Sequence, residues 1–272
     1  MKAESTLKRN QSRGWRMGLK NLLARENRTW WKTSRWWVQT LIWGIITNGV
    51  LVLLIFLQPL ITQVFTNVNP EDLADIPDGI TAFFSLAALA MPIGVVILVQ
   101  GSIITEKELG TAEWVLSKPV SRTAFYLSKL IAHSTGFFVT MVFIQSVLAY
   151  GFISLSQQTA VSPTGFLLGA GLLALLLFFY LTLTLMLEVL ADKRGMVLGI
   201  SLGAALGGAL LVNLFPVLAV VTPFAAPNLI PLIVQGLGQQ ADFPLWVPFL
   251  GTFLMSLVFV VIAVRRFNSK AL

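Results

Sequence analysis

The run Val50-Leu51-Val52-Leu53-Leu54-Ile55-Phe56-Leu57 decides the class of this chain, because it is apolar at every position and leaves no face for water. It lies inside a longer apolar stretch from about Trp37 to Ile61. A bilayer core of about 30 Å needs roughly 20 such residues per helix. Comparable stretches run from about Ile80 to Ile104 (with Pro92 inside), Phe125 to Leu155, Phe166 to Leu190, Met196 to Val221 and Leu245 to Val264. None keeps the alternation of apolar and polar faces that a water-exposed helix needs. Composition agrees: 56% of the 272 residues are hydrophobic and 11% are charged, against about 25% charged in a soluble domain. A disordered chain is excluded, and an ordinary soluble enzyme is disfavoured. With no cysteine and one histidine, His133, a disulfide scaffold and a thiolate metal site are excluded and no metal site is expected.

The net charge of +7 takes its meaning from where the charges sit. All 19 Lys and Arg fall in residues 1–36, in the link and first turns after the second apolar stretch (Lys107, Lys118, Arg122, Lys129), at Lys193-Arg194, and in the tail (Arg265, Arg266, Lys270). The alternate connections carry Glu71, Asp72, Asp75, Asp78 and Asp242 and no base. By the positive-inside rule the basic stretches and both termini are cytoplasmic, which an even number of spans allows. The basic residues 1–36 precede any apolar run, unlike a cleavable signal. The expected architecture is therefore an all-α, multi-pass protein of a bacterial plasma membrane: residues 1–36 as a tail and interfacial segment, and residues 37–272 as a domain of six transmembrane helices. The partner of the basic charge is the anionic inner leaflet, not nucleic acid. The acidic residues 71–78 lack a calcium-loop pattern and read as a solvated loop.

Between Gly14 and about Lys32, Trp15, Leu19, Leu22, Leu23 and Trp30 share one helical face, with Arg13, Arg16, Lys20 and Arg28 opposite. That layout predicts an amphipathic helix lying on the membrane. Trp30, Trp31, Trp36 and Trp37, together with Trp15 and Leu19, are expected at the headgroup boundary, where indoles settle.

The link after the second span reads Thr105-Glu106-Lys107-Glu108-Leu109-Gly110-Thr111-Ala112-Glu113-Trp114-Val115-Leu116-Ser117-Lys118-Pro119-Val120-Ser121-Arg122. Gly110 breaks the preceding helix, Thr111 is placed to cap a short helix over 112–117, Pro119 ends it, and Ser121 caps the third span. Trp114, Val115 and Leu116 put apolar bulk on a piece that need not cross the membrane, which points to docking of a protein partner.

The positions Glu106, Glu108, Gly110, Thr111, Glu113, Leu116, Pro119 and Arg122 in this spacing resemble the signature of type-2 ABC transporter permeases, the exporter-class membrane subunits. The likeness extends along the chain, to an elbow helix, six spans, cytoplasmic termini and an external segment (222–244) before the last span. It implies that residues 105–123 form a coupling segment whose short helix docks on a separate ATP-binding subunit, with Trp114 bulkier than the pattern. It further implies two permease chains, as a homo- or heterodimer, and two ATPase chains. No Gly-x-x-x-x-Gly-Lys-Ser/Thr run occurs, so the chain has no phosphate-cradling loop of its own. ATP and magnesium are expected on the partner, and no cofactor or catalytic residue on this chain.

Gly195, Gly199, Gly203 and Gly207 fall on one face of the fifth span and predict close helix packing, within the chain or across a two-fold axis. The resemblance favours the first and fifth spans near that axis, with the route for an amphipathic or lipid-like substrate between protomers. Ionisable groups within the spans are few. A Glu188–Lys129 pair is conceivable, with snorkelling to water as the simpler expectation. His133 reads as a packed histidine, and Asn48, Gln58, Gln100 and Asn213 as cross-helix hydrogen-bonding groups. An ion-coupled transporter or channel is the alternative function, though acidic residues near mid-membrane are lacking. An intramembrane enzyme would need acid–base pairs that the spans do not supply.

Overall fold

A computed structural model of the chain describes residues 14–56, 78–157, 162–237 and 243–269. Every regular element among them is helical. In chain order these are α1 (Leu19–Trp31), α2 (Arg35–Phe56), α3 (Gly79–Val99), α4 (Ile104–Glu108) and α5 (Thr111–Ser117). Then follow α6 (Arg122–Ser156), α7 (Pro163–Leu190), α8 (Arg194–Leu214), α9 (Val217–Val221), α10 (Ala226–Val234) and α11 (Trp246–Ser269). Among the described residues, five segments are long and apolar enough to cross a membrane: α2, α3 continued into α4, α6, α7 and α11. The chain is thus a multi-pass membrane protein. The segment expected as a span from Met196 to Val221 is interrupted. α8 stops at Leu214, and Pro216 starts the separate short α9, since proline cannot donate the next helical hydrogen bond.

The centre of the bundle is α7. It packs against α3, α6, α8, α10 and α11, and its residues Phe179 to Val189 are all buried. A helix that is apolar all round belongs in such a position. Scattered glycines set the close approaches. A Cβ at Gly94 would overlap the Trp43 ring, one at Gly136 the Trp30 ring, one at Gly169 Val234 and Phe84, and one at Gly208 Phe224. Small residues opposite bulky ones are how helices gain contact where lipid offers no hydrophobic drive.

Two π-turns interrupt α2 at Gly44–Gly49 and α6 at Phe138–Phe143. They are tied together by amides. Asn48 Nδ2 donates to Gln145 Oε1 at 2.9 Å, and Gln145 Nε2 donates to the carbonyls of Thr140 at 2.9 Å and Thr40 at 3.0 Å. A π-turn loosens the helical ladder, and Gln145 restores a partner to a carbonyl within it. Asn48 therefore bonds across helices, as its type predicts. Gln58 lies outside the described residues.

Beyond α9 the segment forms a helix packed into the bundle: Leu229, Ile230 and Val234 of α10 are all buried. Ser85 donates to the Pro227 carbonyl at 2.7 Å. Asp78 caps α3, accepting from the Thr81 N–H at 2.8 Å. Glu71, Asp72, Asp75 and Asp242 lie outside the described residues.

Candidate functional site

The last turn of α3 gives way at Gln100, and Gly101 takes a left-handed φ of 109°. A side chain there would be strained by that φ and would press on the Thr105 hydroxyl. This reversal turns consecutive backbone N–H groups inward. The wholly buried carboxylate of Glu188, near the end of α7, receives them. Its Oε1 accepts from Gly101 at 2.8 Å and Ser102 at 3.2 Å. Its Oε2 accepts from Ile103, from Ile104 at 3.3 Å and from the Ser102 hydroxyl at 3.3 Å. The Ser102 N–H also bonds the Val99 carbonyl at 2.8 Å; the others are donors that the start of α4 leaves without helical partners. In return, Lys107 Nζ donates to the Glu188 carbonyl at 2.7 Å, near the C-terminus of α7. Arg194, at the head of α8, donates to Gln100.

The expected Glu188–Lys129 pair does not form. Lys129 is buried in α6 and does not snorkel. Its Nζ lies 2.9 Å from Glu106 Oε1 and 3.4 Å from Glu26 Oε1. Arg25 joins the same carboxylates at 2.7 Å (Glu26) and 3.0 Å (Glu106). The cluster joins α1, α4 and α6. Burial alone would raise the Glu26 carboxyl, but the Lys129 ammonium and Arg25 outweigh it and hold it below its ordinary value. Burial works against the Arg25 guanidinium too, and the two glutamates reverse the effect and raise it.

α1 is seated on this joint from both ends. Trp30 is 1% exposed; its ring fills the notch at Gly136 and meets His133 and Phe137 edge to face at 5.8 and 5.3 Å. The Arg35 guanidinium stacks 4.8 Å from the Trp30 ring centre. Trp30 is thus a protein-packing residue and not a headgroup anchor, and Leu19, Leu22 and Leu23 also pack on the core. The apolar face that predicted membrane contact is consumed by α6, because a buried indole facing a glycine gains more contact than one at an interface. Trp15, Trp31, Trp36 and Trp37 stay exposed. The lead-in to α1 is pinned as well. The Met17 carbonyl accepts from the Ser121 N–H at 3.0 Å, the Trp15 carbonyl from the Ser121 hydroxyl at 2.5 Å, and Gly18 abuts Val120. His133 is packed, as its isolation predicts. Trp30→Ala should empty the notch and lower stability by about 3 kcal/mol, read as a lower unfolding temperature of the purified chain. Trp30→Phe, which keeps an aromatic ring there, should lose less than half of that.

The residues of the expected coupling segment, 105–123, are placed as follows, with the side chain of Glu113 outside what is described. Gly110, at φ 68°, separates α4 from α5 and itself takes the cap position. Thr111 is not the cap; its hydroxyl donates to the Glu106 carbonyl at 3.1 Å, which closes the turn from the other side. Ala112 and Val115 are buried, so the expected apolar patch is narrower than Trp114-Val115-Leu116. Leu116 is half-buried, and Glu108 and Pro119 are exposed. What faces outward is Trp114, 64% exposed, together with Leu109, 71% exposed. Lys118 Nζ lies 3.5 Å over the Trp114 ring. Ser121 caps α6, accepting from the Ala124 N–H at 3.0 Å. Arg122 donates to the Phe267 carbonyl at 3.1 Å, tying the segment to the end of α11.

Residues 41–270 match the model of a family of proteins of unknown function, DUF2705. The chain belongs to the DUF2705 family. No curated protein matches it. The match covers α3 to α11 and most of α2, and so includes Glu106, Lys129 and Glu188, whereas Arg25, Glu26 and Trp30 precede it.

The DUF2705 match brings no chemistry with it, and the described residues hold no group of three or more potential metal-ligating His, Cys, Asp or Glu side chains. The arrangement is a short exposed helix joined by charges and hydrogen bonds to four longer helices. Sequence reasoning named Glu106 and Arg122 but missed that Glu188 grips the turn before α4. The available signal was a carboxylate inside an otherwise apolar run, which in a membrane marks a committed partner. The stripe Gly195, Gly199, Gly203 and Gly207 on α8 meets nothing within 4 Å of where a Cβ would stand, so it has no close neighbour among the described residues. Asn213 is exposed on the same helix.

Proposed function

We propose that this chain is the membrane subunit of an ABC exporter, and that α5 is the helix through which a separate ATP-binding subunit moves it. The observation that carries the reading is the exposed pair Leu109, in the turn after α4, and Trp114, on α5, in a segment tied to the helices by the Glu106–Lys129 ion pair and by Ser121. Exposed apolar side chains on an immobilised, polar end of a membrane protein fit a protein partner. Force applied at α5 would pass to α6 through Lys129, to α1 through Arg25 and Ser121, and to α7 through the Glu188 cradle.

In this reading ATP and magnesium are held by the partner, present in two copies, since the chain lacks a P-loop. α8 serves as the sixth span, and the Lys- and Arg-rich end with both termini faces the bacterial cytoplasm. The open glycine stripe of α8 meets a second permease chain, and an amphipathic or lipid-like substrate passes between the two. No catalysis is assigned to this chain.

A benzoylphenylalanine photocrosslinker at position 114, used in native membranes, tests the reading. The expected product is an adduct with a protein that binds and hydrolyses ATP. Trp114→Glu with Leu109→Glu should lower co-purification of that protein at least about tenfold, the factor for about 1.4 kcal/mol of lost contact, while the variant still folds. Adducts containing no nucleotide-binding protein would sink the proposal.

A further inference from the structure

We propose that α1 stands beside α6 instead of lying flat on the membrane, and that its last turn, with Arg28, Trp31 and Lys32, binds the headgroup of an anionic phospholipid. The direction of α1 follows from its contacts. Met17 bonds Ser121 at the head of α6, Glu26 meets Lys129, and Trp30 covers Gly136. Contacts that advance together along two helices mean that the helices run side by side in one direction. α6 is long and apolar enough to cross the membrane, and such helices tilt by about 40° at most. α1 therefore climbs toward the bilayer and reaches it where Lys32, Thr33 and Ser34 lead into α2. Lys20 and Lys32 are twelve residues apart, or about 18 Å along the helix. A tilt of about 40° leaves about 14 Å of that as height, and charge is screened over about 8 Å. Headgroups at the level of Lys32 are thus out of electrostatic reach of Lys20.

Charge names the occupant. Arg28 and Lys32 are one turn apart, both exposed, on the side of α1 away from the buried Trp30. Neither forms an ion pair among the described residues. Glu26, the one carboxylate in residues 14–56, is held by Lys129 and Arg25. Two cations with no acid beside them favour a net negative headgroup, whereas a zwitterionic one brings its own ammonium. Trp31, Trp36 and Trp37 are exposed around the same joint, and indoles settle at headgroup level. The turn is also held in place. Trp30 fills its notch on α6, and Arg35, stacked on the Trp30 ring, donates to the Leu98 carbonyl at 3.2 Å at the end of α3. Arg28 and Lys32 are therefore presented on a fixed frame, which lowers the ordering cost of binding.

This proposal is independent of the exporter reading, because its test needs only the full chain. The chain is reconstituted in phosphatidylethanolamine vesicles with a trace of either phosphatidylglycerol or phosphatidylethanolamine carrying a diazirine near the head of one acyl chain. Photo-adducts are mapped by mass spectrometry. At residues 28–37 the phosphatidylglycerol probe should label about thirtyfold more than the phosphatidylethanolamine probe, the factor for two cations at about 1 kcal/mol each. Arg28→Gln and Lys32→Gln should each lower that ratio about fivefold, and together bring it to about one. Lys20→Gln makes the same charge change on the same helix and should leave the ratio unchanged. All three side chains are exposed, so the variants should fold as the wild type does. Height is read separately. The chain has no cysteine, so Asn21→Cys or Thr33→Cys places one fluorophore, quenched by a nitroxide on the lipid headgroup. Quenching should be strong at 33 and weak at 21. Equal quenching at the two positions, or equal losses from Lys20→Gln and Lys32→Gln, overturns the standing helix. A labelling ratio near one in the wild type, or one that survives in the Arg28→Gln, Lys32→Gln double variant, overturns the lipid site. So does a label at 33 shielded from the nitroxide by a second copy of the chain.

Discussion

Glu188→Ala is expected to be the most damaging single truncation in this protein. It removes the acceptor that three backbone N–H groups, those of Gly101, Ile103 and Ile104, and the Ser102 hydroxyl share, while the Ser102 N–H keeps the Val99 carbonyl at 2.8 Å. Each buried donor left without a partner costs about 1–3 kcal/mol. Gly101 and Ser102 are only half-buried, so water can recover part of that, and a net loss of about 4 kcal/mol is the expected outcome. Against a total stability of about 5–15 kcal/mol, this should lower the unfolding temperature by about 10 °C and cut the yield of folded chain. Glu188→Gln keeps one oxygen but turns an NH₂ toward N–H groups, donor against donor, and should fall between wild type and Ala. Gln100→Ala removes the neighbouring acceptor for Arg194 and serves as the mild control. Unfolding curves of the purified chain decide the matter. A Glu188→Ala variant as stable as Gln100→Ala would mean that the cradle contributes nothing. If the exporter reading holds, Glu188→Gln should also reduce transport more than it reduces folding, because α7 then loses its grip on the turn that carries α4 and α5.

Lys129→Met is the second large effect. Lys129 is buried, and the Glu26 and Glu106 carboxylates both face its ammonium. Removing one member of a buried charge group leaves uncompensated charge and costs about 3–5 kcal/mol. Arg25 remains, but it is partly exposed and holds both carboxylates from the solvent side. The double variant Lys129→Met with Glu106→Gln should recover at least half of the loss, because it removes the stranded charge. pH supplies an independent reading. In the wild-type chain the folded Glu26 carboxyl titrates below its ordinary value of about 4.5. Its contribution is therefore complete above about pH 4.5 and is lost as pH falls through the lower folded value. Without Lys129 the leading opposing charge is gone and burial pulls the carboxyl upward, so the dependence of stability on acid should flatten. Unfolding temperatures of both chains between pH 3 and pH 7 measure this, and identical slopes would count against the assignment of Lys129 as the partner of Glu26.

Much of the architecture was legible in one dimension. Stretches such as 50–57 had to become helices because lipid offers no partner for backbone polar groups, and that requirement is local. The punctuation was local too: Gly110 breaks and Ser121 caps. Pro216, which splits the expected span from Met196 to Val221, was hidden by the apolar run around it. The misses share a cause. Trp30 read as a headgroup anchor because its face is apolar, yet whether an indole meets lipid or protein depends on a notch at Gly136, over a hundred residues away. The regular stripe at Gly195 to Gly207 left packing within the chain or across a two-fold axis open, and it meets no close neighbour among the described residues. Glycines that meet aromatic rings, such as Gly94, Gly136, Gly169 and Gly208, carry no common period.

The sequence by itself determined that this chain is a bundle of membrane-spanning helices with its Lys and Arg gathered into few connections. Solvent imposes that choice on each segment separately. Only the tertiary structure decided which charges meet: Glu188 with the turn at Gly101, and Lys129 with Glu26 and Glu106. Helices that are apolar all round carry no preference for a face, so shape selects their neighbours, and the few buried charges must then find partners wherever that packing brings them.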